Sequence, residues 1–178
     1  MQDDYVSLYA FNRWANARML DACRKLTPEQ YTAEPVSGWP SVRFTVWHIA
    51  VVTDWWLRTL AEDPDQSFPT EAELATVEDA ARLLERAYRT FEALLPKLTP
   101  ELLNTPRTFQ GRGWTLVLPP WVVLRHLVNH TTYHRGQVAS KLKRFGIEQE
   151  VTDLPFWAME VTGAGPVLVP ESDGPAQQ

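Results

Sequence analysis

Hydrophobic residues recur at steps of three and four positions in four long segments of the chain, which is the spacing of amphipathic helices. The segments run from about Asp4 to Leu26, Ser41 to Ala61, Val77 to Leu98 and Pro120 to Phe145. Ser41 and Thr76 are predicted N-caps, and Gly146 is the predicted stop of the last helix. The pattern predicts an all-α protein with an antiparallel four-helix bundle.

Two connections between these helices have a distinct character. Residues 62–79 hold seven acidic residues and no basic one, together with Pro64 and Pro69, which indicates a solvated loop. Residues 107–116 read RTFQGRGWTL, in which a Gly-x-Gly turn separates two β-compatible runs. We therefore expect a short hairpin before the last long helix.

The C-terminal part of the sequence predicts one more short helix. Thr152 or Asp153 is its candidate cap, and Glu160 is its expected end. The total length of 178 residues is typical of one domain, to which we assign residues 1–162. Residues 163–178 are rich in Gly and Pro, and we expect them to form a flexible tail.

The composition excludes several classes of protein. A hydrophobic content of 44% is typical of a globular domain, and a net charge of −5 argues against nucleic-acid binding. The single cysteine, Cys23, excludes an intramolecular disulfide. The sequence shows neither a signal peptide nor the roughly 20 consecutive apolar residues that span a bilayer. We expect a soluble cytoplasmic protein without membrane or nucleic-acid partners.

The four histidines of the chain are unevenly distributed. Three of them, His126, His130 and His134, lie at four-residue steps in the last predicted helix. Four residues advance a helix by about 6 Å and turn it by about 40°, so two rings at this spacing reach a single ion. Eight residues advance it by about 12 Å, which is too far for all three rings to share that ion. One of the two outer histidines is therefore spare.

The remaining imidazole, His48, is the candidate third ligand from another helix. It shares an apolar stripe of the second predicted helix with Phe44, Val51, Val52 and Trp55. We expect it to point into the core, where a ring nitrogen without a partner costs free energy that a shared metal ion removes. Three neutral imidazoles leave a fourth coordination position for water or substrate, as in catalytic zinc sites.

Two other metal motifs are excluded by residue type. A zincin helix requires Glu directly after its first histidine, whereas Thr131 follows His130. A di-iron bundle requires Glu three positions before its histidines, and positions 45, 127 and 131 hold Thr, Leu and Thr. No carboxylate has a fixed position beside the histidines, so the catalytic acid or base stays unassigned.

Three strings of the sequence carry a resemblance to a known family. They are NRWAN at 12–16, WHIA followed by TDWWL at 47–57, and LRHLVNHTTYHRGQ at 124–137. With these strings the chain resembles the DinB family, which is related to the YfiT-like metalloenzymes. The resemblance implies a four-helix bundle, a homodimer and a divalent transition metal, zinc or nickel. It implies that His48, His130 and His134 are the metal ligands and that His126 is the spare ring.

The resemblance leaves two classes of function open. Some relatives of this fold are thiol-dependent transferases or isomerases that act with low-molecular-weight thiols. The chain is therefore expected to be a metal-dependent enzyme, either a thiol-dependent S-transferase or a hydrolase. Its substrate is then a small thiol or another small molecule. The alternative is a non-catalytic, stress-related protein that binds metal or self-associates.

Other polar positions have simpler interpretations. Asn12 and Asn16 lie on the inward stripe of the first helix, and we expect both to form hydrogen bonds in the interior. Arg135 and Lys141 belong to a basic stretch near a helix C-terminus, which we interpret as a solvated face. Cys23 is interpreted as a small core residue.

Overall fold

The computed structural model describes residues 2–34, 41–111 and 113–163, which are mostly helical. The helices are α1 (Gln2–Cys23), α2 (Pro28–Thr32), α3 (Val42–Leu60), α4 (Val77–Leu94), α5 (Pro100–Asn104), α6 (Pro120–Lys143) and α7 (Leu154–Thr162). The strands are β1 (Arg107–Gly111) and β2 (Trp114–Leu118), which pair antiparallel as the predicted hairpin. The predicted tail lies outside the described residues from position 164 onwards.

The predicted caps are present at the starts of α3 and α4. The Ser41 hydroxyl accepts a hydrogen bond from the amide of Phe44. The Thr76 hydroxyl accepts one from the amide of Asp79, whose carboxylate in turn accepts from the amide of Thr76. Helices α1 and α4 end three to four residues before the predicted positions, because the capped turns α2 and α5 begin soon afterwards.

Side-chain contacts fix the directions of the four long helices. Tyr9 and Asn12 of α1 bond to Leu124 and Thr131 of α6, so both helices run in the same direction. The equivalent contacts of α1 with α4 run in opposite directions, since Arg24 bonds to Glu78 and Arg13 to Glu92. Helices α3 and α6 are also antiparallel, because Thr45 meets Lys141 and Trp56 meets His126.

These directions differ from the predicted packing in one respect. The antiparallel relation holds for α1 with α4 and for α3 with α6, whereas α1 lies parallel to α6. It follows that α3 and α4 also run in the same direction. The cause is the long connection at residues 61–76, which carries the chain back to the end at which α3 began.

This acidic connection is fixed to α3 rather than freely solvated. The indole of Trp47 donates to the carbonyl of Pro69, and Arg43 forms an ion pair with Glu71. Arg58, which is 2% exposed, donates to the carbonyl oxygens of Asp65 and Ser67. The loop thus returns along one side of α3 and leaves its acidic side chains mainly in solvent.

The interior consists of two adjoining apolar clusters. One is centred on the stacked rings of Tyr9 and Phe91 near the hairpin, and the other on Met19, Ile49 and Val138 near the opposite end. Helix α3 contributes side chains to both clusters, which explains why its sequence is apolar almost all round. Within the described ranges, no helix combines the length and apolar character needed to cross a bilayer.

Candidate metal centre

The rings of His48, His130 and His134 converge between α3 and α6. The Nε2 atom of His130 lies 3.0 Å from Nε2 of His48 and 3.1 Å from Nε2 of His134. One ligand atom of each residue lies within 4.8 Å of the other two. The two four-residue neighbours of α6 and the single histidine of α3 are therefore brought together as a potential metal site.

The donor set fits a divalent transition metal. Zn–N bonds of about 2.0–2.1 Å in tetrahedral geometry separate the ligand nitrogens by about 3.3 Å, close to the distances found here. A single hydrogen atom on Nε2 of His130 can bridge to only one of the two neighbouring rings. One cation accepts the lone pairs of all three rings at once, which satisfies the whole cluster.

The hydrogen bond of His134 prepares its ring for this role. Its Nδ1 lies 2.7 Å from Oε1 of Gln137, so Nδ1 carries the hydrogen and Nε2 presents its lone pair to the cluster. The Nδ1 of His130 is buried and has no protein partner among the described residues. The tautomer of His130 is therefore set by what its Nε2 binds.

Burial lowers the pKa of every ring in the cluster. Desolvation, followed by the neighbouring imidazoles, lowers the pKa of His48 to about 4 and that of His130 to about 3. Desolvation is also the main cause that lowers the pKa of His134, while the bond to Gln137 acts in the opposite direction. The rings are therefore neutral at physiological pH, which is the form that binds metal.

His48 is only half-buried and does not lie in the core. It is half-buried, as are Phe44, Val52 and Trp55 on the same stripe, whereas Val51 is buried. The predicted inward position is wrong for this reason: the stripe faces the gap between α3 and α6, and the adjacent positions of α3 fill the interior. Half-burial leaves part of the His48 and His130 rings exposed.

His126 does not belong to the three-histidine group. It is exposed, and its ring centroid lies 5.2 Å from that of His130 and 6.3 Å from that of Trp56. His126 is about one helical turn from His130 and about two turns from His134, so its ring cannot share an ion with both. The spare ring thus stands between the cluster and the aromatic residues of the hairpin end.

A buried polar network lies directly behind the cluster. The guanidinium of Arg135, which is 1% exposed, donates to the amide oxygens of Asn12 and Asn16 at 2.8 and 3.0 Å. Asn12 also accepts from the Thr131 hydroxyl, and Asn16 donates to the Tyr88 hydroxyl. The predicted interior bonds of the two asparagines are confirmed, and the network joins α1 and α4 to the helix that carries two of the histidines.

The interpretation of the basic stretch of α6 as a solvated face is wrong for two of its members. Arg135 is buried in the asparagine network, and Lys141 is 8% exposed with its ammonium bonded to the Ser41 carbonyl and the Thr45 hydroxyl. Desolvation lowers the pKa of Arg135 to about 10 and that of Lys141 to about 8. Arg135 also donates to the hydroxyls of Thr131 and Thr132 in α6, but the other partners come from α1 and the start of α3, about 100 residues away in sequence. The charge pattern along α6 alone does not reveal them.

An aromatic cleft of about 540 Å³ lies beside the cluster. Its walls are α3, the acidic connection and the hairpin, and its aromatic residues are Trp55, Trp56, Phe68 and Trp114. The sequence placed Trp55 on the apolar stripe of the second predicted helix. It gave no indication of Phe68 or Trp114, because they reach the cleft only through the return of the loop and the fold of the hairpin.

Comparison with known proteins identifies the family. A family model described as the DinB family matches residues 1–165. The curated Protein DinB of Bacillus subtilis (strain 168) is 30% identical over 166 residues, which cover 86% of this chain and 92% of that protein.

A solved structure supports the same relationship at the level of the fold. The crystal structure of a DinB-like protein from Bacillus cereus ATCC 10987 matches with a TM-score of 0.62 at 21% identity. The match covers 84% of this chain and 95% of that one. Membership of the family itself is shown by the family model and the sequence relative. This chain belongs to the DinB family.

Proposed function

We propose that the chain is a metal-dependent enzyme whose divalent ion, zinc or nickel, is held by His48, His130 and His134. The observation that carries this proposal is the composition of the cluster: it contains three histidines and, within the described residues, no cysteine or carboxylate that would close it. Structural zinc sites normally have four protein ligands, whereas catalytic sites have three and an open position. This composition favours catalysis over the non-catalytic alternative.

In such a site the protein holds the three imidazole rings in position and keeps them neutral. Gln137 orients the ring of His134, and burial keeps all three rings neutral. The network around Arg135 fixes α6 against α1, so the two histidines of α6 keep a constant geometry. An ion bound there supplies a Lewis acid that lowers the pKa of a thiol or a water molecule toward neutrality.

Among the two reactions expected from the sequence, we propose thiol transfer. The sulfur of a small thiol then forms a bond to an electrophilic carbon of the second substrate, whose leaving group departs with the electron pair of the broken bond. The thiol proton goes to solvent. The apolar cleft beside the histidines supports this choice, because it offers a place for the electrophilic substrate.

The finer architecture forms part of the proposal. The ring of contacts from α1 to α6, α3, α4 and back to α1 supports a four-helix bundle with two parallel and two antiparallel neighbour pairs. We propose a cytoplasmic homodimer, for which the exposed apolar side chains of Leu116 and Val117 on β2 are the supporting surface.

The test combines metal analysis with an activity assay. Purified wild-type protein and the His130→Ala variant are compared by elemental analysis and by melting temperature with added zinc or nickel. Conjugation of L-cysteine, glutathione and coenzyme A to 1-chloro-2,4-dinitrobenzene is then followed with metal-loaded and metal-free protein. We expect stoichiometric metal and metal-dependent conjugation in the wild type and neither in the variant.

Three outcomes contradict parts of this proposal. Wild-type protein without stoichiometric metal, and with a melting temperature that neither ion changes, rules out the metalloenzyme. Metal binding with hydrolysis of 4-nitrophenyl acetate but no conjugation replaces the transferase by a hydrolase. Metal binding without either activity for a broad set of substrates supports the non-catalytic alternative.

A further inference from the structure

The aromatic cleft is a built cavity rather than a surface irregularity. Its volume of about 540 Å³ lies within the usual range of small-molecule sites, roughly 300–1,000 Å³. Three separate parts of the chain form it: the stripe of α3, the connection held against α3 by Arg58, and the hairpin. Each of these parts is fixed by hydrogen bonds, so the cavity exists without a ligand.

The lining of the cleft is aromatic and uncharged. The indoles of Trp55, Trp56 and Trp114 pack with ring centroids 4.8 to 5.9 Å apart, mostly edge to face. Among the residues that the structure describes, Gln66 and Gln110 supply the amide side chains of the lining, and none of its described members carries a charge. Aromatic walls without charge favour a flat, neutral ring over an anion, and the two amides can orient a hydroxyl, carbonyl or nitro group on it.

The hairpin is shaped to present Trp114 to the cleft. Gly111 stands opposite Trp114 in the strand register, and a Cβ atom at position 111 would overlap the indole. Glycine at this position therefore lets the indole lie across β1 and face Trp55 and Trp56. With 39% of its surface exposed, Trp114 retains a free face for an incoming ring.

A shared stripe of α3 and two chains of ring contacts lead from the cleft to the histidines. Val52 follows His48 by one helical turn on the same half-buried stripe of α3. The ring of Trp56 meets His126, which in turn meets His130. On the other side, Phe68 packs on Trp47, whose ring lies 6.3 Å from that of His48. The cleft and the histidine cluster are thus adjacent parts of one site.

We infer that the cleft binds a neutral aromatic group of the second substrate and presents it to the histidine centre. This inference rests on the proposed function for the reaction that follows, but the binding itself does not require a metal. The substrate class is a neutral aromatic compound of one or two fused rings with a polar substituent. Trp114 provides the face on which its ring stacks.

Binding is tested with three probes of matched size on metal-free protein. They are 2-naphthol, its saturated counterpart decahydro-2-naphthol, and the anion 2-naphthoate, with affinities measured by isothermal titration calorimetry. We expect 2-naphthol to bind at least about threefold more tightly than either of the other two. Equal affinities, or tighter binding of the naphthoate, overturn the inference.

Matched variants locate the binding. Trp114→Ala and Gly111→Ala should weaken 2-naphthol binding by about three- to tenfold, because each removes or displaces the same indole. Trp121→Ala and Gly136→Ala are the controls, since Trp121 is also 39% exposed but lies outside the cleft, and a Cβ at Gly136 meets no atom within 4 Å. Equal effects in test and control variants overturn the assignment to the cleft.

A paramagnetic ion tests the proximity to the histidines. In protein loaded with one equivalent of cobalt(II), we expect faster NMR relaxation of the bound 2-naphthol protons than in zinc-loaded protein, and no such difference in His130→Ala. If the bound 2-naphthol protons relax at the same rate in cobalt-loaded and zinc-loaded protein, the inference that the cleft lies next to the metal is overturned. Failure of cobalt to bind overturns the proposed function alone, because the affinity for 2-naphthol is measured without metal.

Discussion

The Nε2 atoms of His48 and His130 lie 3.0 Å apart, although 82 residues separate them in sequence. The two atoms meet only because α3 and α6 pack antiparallel with His48 beside His130. An unfolded chain cannot hold the two rings together, so metal affinity and folding are coupled: a ligand that binds only the folded state raises its stability. This coupling makes the site accessible to both binding and stability measurements.

Gln137 is expected to control metal affinity without binding the ion. The Gln137→Ala variant removes the acceptor for Nδ1–H of His134, so the ring is free to rotate and to change tautomer. We expect zinc affinity to fall by about 10- to 100-fold. Gln137→Glu should retain most of the affinity, because a carboxylate also accepts this hydrogen bond. Isothermal titration calorimetry measures the zinc affinity of both variants. An unchanged affinity in the alanine variant would show that the contact does not control metal binding.

The metal-free protein should lose stability as the pH falls below neutrality. Histidine in an unfolded chain has a pKa near 6.5, whereas burial lowers the pKa of His48 to about 4 and that of His130 to about 3. Between these values the unfolded chain binds more protons than the folded one, so the free energy of unfolding decreases with decreasing pH. The contribution is complete above about pH 7 and is lost progressively toward about pH 3.

Urea unfolding in the presence of EDTA checks this expectation at about pH 7.5 and about pH 5.5, a range in which most carboxylates remain ionised. The double variant His48→Gln, His130→Gln should show a smaller decrease in the free energy of unfolding over this range. The same decrease in wild type and variant would mean that other groups cause the pH dependence.

Asp54 is expected to be one of the most sensitive positions for stability. It is fully buried and pairs with Arg58, which is 2% exposed, and with Arg86. Asp54→Asn leaves the buried guanidinium of Arg58 with only the exposed carboxylate of Asp65 at 3.7 Å as a counter-charge, so the free energy of unfolding should fall by about 3 to 5 kcal/mol. Glu85→Gln, which breaks an exposed ion pair with Arg13, should cost less than about 1 kcal/mol. Equal losses in urea denaturation would contradict this distinction.

Cys23 should be chemically inert in the folded protein. Its thiol is buried, and desolvation raises its pKa to about 12. We expect reaction with 5,5′-dithiobis(2-nitrobenzoic acid) at about pH 8 to be about a thousandfold slower than in guanidinium-unfolded protein. Fast labelling of the native state would show that the thiol is accessible. An inert Cys23 leaves the external thiol as the nucleophile of the proposed transfer.

Local sequence signals predicted those parts of the fold that depend on neighbouring residues. The caps Ser41 and Thr76 mark the starts of α3 and α4, and the Gly-x-Gly turn marks the hairpin. The spacing of His130 and His134 placed two rings on one face of α6, because a helix has a fixed rise and rotation. Such features follow from interactions within a few residues.

Features that depend on distant packing could not be read from the pattern. The relative direction of α1 and α6 follows from the path of residues 61–76, whose acidic composition did not show that Arg58 would bind it. Arg135 and Lys141 have charges typical of a surface, yet oxygen atoms of α1 and α3 surround them in the interior. Only the assembled helices bring these partners together.

Helix α3 carries His48 and Trp55 on one side, seven residues apart. An α-helix rises about 1.5 Å per residue and resists compression, so the distance between these two points along the axis stays near 10 Å. In the proposed enzyme, this fixed spacing sets the distance between the aromatic ring of a bound substrate and its reacting end. Selection for a longer or shorter molecule would require moving a residue by a whole turn, not enlarging a side chain.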